Sequence, residues 1–167
     1  MGITVKLEAT AGESRRVEYR WDVDTDILSA QLKPEQGATG MSGPVGVEGA
    51  DGSWLILDVG DGRINGVEVA VWPEVRKHAG LAAPARVQEA GVLVPARKSR
   101  AALTSVEMET PIAVESDEHE RIFHFTIGKP RKVRAVRLAA DLLMEIDASG
   151  RLAGLWLLNV PPFPDEP

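Results

Sequence analysis

Three aspartates at alternate positions, Asp22, Asp24 and Asp26 in RWDVDTDILSAQL (residues 20–32), are the first residues in this chain spaced to do chemistry. Alternate carboxylates open an EF-hand-type calcium loop, which then needs glycine at its sixth position and a bidentate glutamate at its twelfth. Those positions hold Ile27 and Lys33. The same spacing suits a polar turn, because aspartate accepts from nearby backbone N–H groups, and the segment reads as the tip of a hairpin between RVEYRW and ILSAQL. The histidines are His78, His119 and His124, with Glu118 and Glu120 flanking His119. A metal site needs three or four converging ligands. A strand turns His124 to the face opposite Phe123 and Phe125, so His124 reads as a polar or half-buried strand residue. No metal site is expected.

Other catalytic signatures are missing. There is no H-E-x-x-H and no nucleophile elbow, and GDGRING (residues 60–66) runs into a strand pattern, without the helix N-terminus that would hold a phosphate. Asp58 and Glu68 can approach across a hairpin, but a general acid needs a desolvated cleft. No catalytic residue and no cofactor are assigned. The densest charge feature is GKPRKVRAVR (residues 128–137), with Lys129, Arg131, Lys132, Arg134 and Arg137, and ARKSR (residues 96–100) can lie near it. Nucleic-acid surfaces add stacking aromatics or a groove-reading helix, and neither accompanies this run. It reads as a solvated loop and edge strand whose charges discourage edge-to-edge pairing. A further reading sets this segment against the acidic loops of the first half.

Composition narrows the class. The chain has 167 residues, net charge −6 and no cysteine, enough length for a buried core without disulfides and no overall attraction to nucleic acid or anionic lipid. No run approaches the roughly 18 apolar residues of a membrane span, and the alternating N-terminus is unlike a signal peptide. A cytoplasmic location is expected, with no membrane partner. Charge divides unevenly: residues 1–75 carry 13 acidic and 6 basic side chains, residues 76–167 carry 12 and 13.

An internal repeat accounts for that division. WLILDVGDGRINGVEVAVWP (residues 54–73) aligns with DLLMEIDASGRLAGLWLLNVP (141–161), placing Leu55, Leu57 and Val59 on Leu142, Met144 and Ile146. One extra residue in the second turn brings Gly62, Arg63, Gly66 and Pro73 onto Gly150, Arg151, Gly154 and Pro161. Upstream, YRWDVDTDILSAQL aligns with VESDEHERIFHFTI (114–127), so Asp22 meets Asp117 and Ile27 meets Ile122. Each unit reads as a β-meander: an apolar run, a turn, then alternation. Gly62 and Gly150 are expected at positive φ at hairpin tips, and Gly66 and Gly154 at bulges or close backbone contacts. Helix is confined to two short candidates, residues 73–79 and 84–90.

Residues 17–72, with YRWDVDTDILSAQL followed by an acidic loop and WLILDVGDGRINGVEV, resemble the small bacterial family catalogued as domain of unknown function number 2283, whose members show D-x-x-x-D-x-L and then D-G-x-x-x-G-x-E. The second copy keeps SGRLAG but has Trp156 in place of Glu68, and His119 and Arg121 in place of Asp24 and Asp26. The resemblance implies a mostly β unit and imports no enzymatic activity.

The expected architecture is mainly β: two tandem meander repeats, residues 1–75 and 101–167, joined by a linker 76–100 and packed about a pseudo-twofold axis as a sandwich or barrel. Trp54 and Trp72, at the ends of one hairpin's arms, are expected to pair or to cover the joint. The leading function is a non-enzymatic binding or interaction module, for a protein partner or for self-association as a homo-oligomer. The alternative is a small-molecule binder or enzyme with a pocket between the repeats lined by Trp54, Trp156 and Phe125. Nucleic-acid binding through residues 129–137 ranks third.

Overall fold

The computed structural model describes residues 3–9, 15–33, 40, 42–95 and 109–164. Those residues form strands and turns without helix. The strands are β1 (Lys6–Glu8), β2 (Val17–Trp21), β3 (Leu28–Leu32), β4 (Gly43–Gly49), β5 (Trp54–Gly60), β6 (Arg63–Val71), β7 (Val75–Lys77), β8 (Val87–Gln88), β9 (Gly91–Leu93), β10 (Glu109–Thr110), β11 (Ile112–Ser116), β12 (Phe123–Ile127), β13 (Val133–Ala139), β14 (Leu142–Asp147) and β15 (Leu152–Leu157). One sheet has six strands in the order β10-β4-β5-β6-β3-β2, another has seven in the order β7-β11-β12-β15-β14-β13-β8, and β1 pairs with β9. Both larger sheets are open, so neither closes into a barrel.

Alternation of apolar residues forces the stacking. Leu55, Leu57 and Val59 on β5 and Leu142 and Met144 on β14 are each at most 2% exposed and belong to one core with Leu28, Phe123 and Phe125. The inner faces of the two sheets therefore share one hydrophobic layer, the standard way for half-apolar sheets to leave water. Val71 is the exception in its strand: it is 46% exposed at the end of β6, paired with Trp54 beyond a register shift.

Local sequence explains the hairpins. Between β5 and β6 the loop is Asp61-Gly62, with φ of 49° and 82°, the two successive positive values that a two-residue type I′ turn requires. The longer β14–β15 turn is held by Asp147, whose Oδ1 accepts from the N–H of Ser149 at 2.9 Å and of Arg151 at 3.0 Å. Both hairpins shift register at matching places, between Asp58 and Val59 and between Glu145 and Ile146.

The segments expected as helices are extended. Residues 75–77 lie parallel to β11 and residues 87–88 lie parallel to β13. Seven-residue windows beginning with Pro73 and Pro84 are too short to nucleate a stable helix alone, and the sheet edges offer their backbone groups partners. The six-stranded sheet is extended in turn by β10, parallel to β4.

Because β7 and β8 occupy opposite ends of the seven-stranded sheet, residues 78–86 must cross it. The segment opens with a turn, in which the Leu81 N–H donates to the His78 carbonyl at 3.1 Å and Gly80 takes a φ of 85°, and then runs on to β8. The inner face is filled, which leaves the outward one. Leu81, Ala83 and Pro84 are half-buried there. Ala135, Leu143, Ala153 and Trp156 are buried without belonging to the shared core, forming a second small apolar layer beneath the crossing.

Candidate functional site

The two sheets meet at one end in an aromatic cleft. Trp21 ends β2, Trp72 follows β6, Phe123 begins β12 and Phe163 lies beyond β15. Trp21 and Trp72 are nearly parallel at 19° with centroids 5.7 Å apart, Phe163 stands edge-on to Trp21 at 5.2 Å, and Phe123 tilts against Trp72 at 5.1 Å. Both indole N–H groups are committed: Trp21 Nε1 donates to the Pro161 carbonyl at 2.8 Å and Trp72 Nε1 donates to the Asp26 carbonyl at 2.7 Å. Those bonds fix the rings and leave their apolar surface as what the cleft offers. With Val75, Asp26 and Glu120 they line an open cleft of about 400 Å³, within the size range of small-molecule sites. Asp26 and Glu120 are exposed at the rim. Lys77 Nζ approaches Glu120 to 3.5 Å from outside.

A second constellation lies on the outward face of the seven-stranded sheet. His124 faces Trp156 across the β12–β15 ladder, and Glu145 faces Gly154 across β14–β15. His124 stacks on Trp156 with centroids 4.0 Å apart at 9°. The Glu145 carboxylate accepts from His124 Nε2–H at 2.6 Å and from Trp156 Nε1–H at 3.1 Å. Glu145 is only 8% exposed, and a carboxylate so placed is tolerable only with such donors. A Cβ on Gly154 would overlap Glu145 and stand 2.6 Å from the Phe125 carbonyl, so glycine here makes room for the acid.

The aspartates answer the opening question as turn residues. Asp22 Oδ1 accepts the Asp24 N–H at 2.9 Å. Asp117 accepts from Arg121 at 2.7 Å and Ile122 at 2.9 Å. Partial desolvation pushes the Asp117 carboxyl upward, but these backbone donors outweigh it and hold the group below its ordinary range. The same competition lowers Asp147, where desolvation is outweighed by the Arg151 N–H and Arg131. Burial lifts the Tyr19 hydroxyl above its usual range while it donates to the Asp141 carbonyl at 2.5 Å, tying β2 to the opposite sheet.

The three aromatic residues expected to line one pocket are not brought together. Trp54 is 44% exposed at the start of β5, Phe125 is fully buried in the core, and Trp156 lies on the other face of the same sheet as Phe125. Adjacent-strand register separates them: Phe125 opposes Leu155, so Trp156, one residue further, points away. Trp54 and Trp72 do not pair either, because Val71 stands opposite Trp54 and Trp72 stacks on Trp21. Of the basic run, Arg131 is bound to Asp147 at 2.9 Å and to the Ile127 carbonyl at 2.9 Å, and Arg137 to Glu89 at 2.8 Å. Lys129, Lys132 and Arg134 are exposed. Residues 96–100 lie outside the described residues. Asp58 and Glu68 share the outward face of the six-stranded sheet with Ser29, whose Oγ is 3.5 Å from Glu68.

Trp21, Phe163 and Glu145 had escaped the sequence. The signal for Glu145 was the alignment of Gly66 with Gly154, which puts it opposite a glycine as Asp58 is. Compared with known proteins, the chain matches no family model and no curated protein. Among the described residues no helix is long and apolar enough to cross a membrane.

Proposed function

We propose that this protein is a cytoplasmic, non-enzymatic binding module built from two tandem β-meander repeats about a pseudo-twofold axis, and that it binds its ligand in the aromatic cleft where the sheets meet. The observation that carries the reading is the convergence of Trp21, Trp72, Phe123 and Phe163 from both sheets on one open cleft of about 400 Å³. The described residues lining it carry no hydroxyl, thiol or imidazole, and its two carboxylates, Asp26 and Glu120, are exposed rather than desolvated as a general acid needs to be. Support for the repeat comes from strand order: β4-β5-β6-β3-β2 and β13-β14-β15-β12-β11 follow one plan, with register shifts at matching places. The likeness of residues 17–72 to family number 2283 belongs to the same reading. The lack of cysteine suits a reducing compartment.

The test is a fragment screen on ¹⁵N-labelled protein that follows the four tryptophan indole N–H resonances. Hits should move those of Trp21 and Trp72 and leave those of Trp54 and Trp156 in place. Hits confined to Trp54 or Trp156 would remove the cleft from consideration.

A further inference from the structure

The cleft's rim carries one sign of charge. Asp26 and Glu120, from the turns before β3 and β12, are the only charged side chains among the described residues lining it, and both are exposed. Its walls are aromatic, and the faces of indole and benzene rings carry negative potential. The Trp21–Trp72 centroid separation of 5.7 Å marks an offset stack, which leaves part of each ring open. An anionic ligand would meet both carboxylates, and a neutral apolar one would make no use of them. We infer that the cleft binds a cationic ammonium group of a small molecule, a quaternary or alkylated ammonium; this rests on the cleft being the ligand site. A small molecule fits because the space is near the lower end of the roughly 300–1,000 Å³ usual for such ligands. From outside the lining, Lys77 already brings an ammonium to one of these carboxylates: its Nζ is 3.5 Å from Glu120, with side chains 58% and 49% exposed. A pair so exposed holds weakly and yields to a ligand.

Choline and its uncharged isostere 3,3-dimethylbutan-1-ol, titrated at fixed ionic strength into the ¹⁵N-labelled full chain, separate shape from charge. Choline should shift the Trp21 and Trp72 indole resonances and bind about tenfold more tightly than the alcohol. Asp26→Asn with Glu120→Gln should lower choline affinity about tenfold and leave the alcohol unchanged. Asparagine tolerates the left-handed backbone at position 26, where φ is 61°, so the variant keeps its fold, which its unshifted Trp54 and Trp156 resonances verify. Equal binding of the two compounds overturns the cationic preference while the cleft stands. Failure of both to move either indole overturns the cleft as well. A trimethyllysine peptide binding over tenfold more tightly than choline overturns the small-molecule source in favour of a protein side chain.

Discussion

On the six-stranded sheet, Ser29, Asp58 and Glu68 stand on an outward face that lines an open hollow of about 560 Å³; on the seven-stranded sheet, the same places in the ladders hold His124, Glu145 and Trp156 beneath the crossing segment 78–86. Ser29 opposes Glu68 as His124 opposes Trp156, and Asp58 opposes Gly66 as Glu145 opposes Gly154. Of the three residues named on the open face, Ser29 and Glu68 make a loose contact, at 3.5 Å. The covered face gives its acid two donors and an aromatic stack. Water supplies what the first face lacks, whereas side chains as buried as Glu145 and Trp156 must satisfy their polar groups internally. Cover and polar network therefore arise together, and the sheet's chemistry follows from what lies over it.

The largest test of that contrast is Trp156→Ala against Glu68→Ala. The first should cost about 3–5 kcal/mol by removing a buried aromatic; the second should stay within about 0.5 kcal/mol, as surface changes do. Urea denaturation measures both, and equal costs would break the contrast. Gly154→Ala should follow at about 2–3 kcal/mol, a small-to-large clash, while Gly66→Ala costs about 1 kcal/mol or less, since its added Cβ would meet the Ala30 carbonyl at 3.3 Å.

Glu145→Gln should lose about 1–2 kcal/mol with the charge-assisted bond. In a double-mutant cycle with His124→Ala a coupling of about 1 kcal/mol should appear, and the Ser29/Glu68 cycle should give none. The smallest effect is on pH. Asp117 and Asp147 are held below the ordinary carboxylate value of 3.8, so their contribution is complete above that value and is lost as pH falls through their lowered ones. Asp147→Asn should flatten the acid limb of the stability profile and leave neutral-pH stability slightly reduced. An unchanged acid limb would assign acid sensitivity elsewhere.

The hairpins were legible because their information is local. Alternation through Leu55, Leu57 and Val59 marks the buried face, and Asp61-Gly62 specifies the turn. The sites were not, because each depends on pairings between distant segments. His124 and Glu145 are 21 residues apart and meet only through the register of β15 between them. Trp21 and Phe163 come from opposite ends of the chain, and nothing in either segment foretells their contact at 5.2 Å. The choice of Trp54, Trp156 and Phe125 failed for a related reason: the period of two decides which residues share a face of one strand, but not which face a neighbouring strand presents there. Residues 78–86, rich in alanine, glycine and proline, have no periodicity to announce that they cover anything.

Both ends of the seven-stranded sheet are closed by β7 and β8, which precede all its other strands in the chain. On a ribosome, these two strands emerge before the five they will flank. The later strands thus assemble between borders already synthesised, and a C-terminal half made alone would have two bare flanks exposed to its own copies. An N-terminal fragment ending at residue 95 therefore carries both of the border strands that such a half lacks.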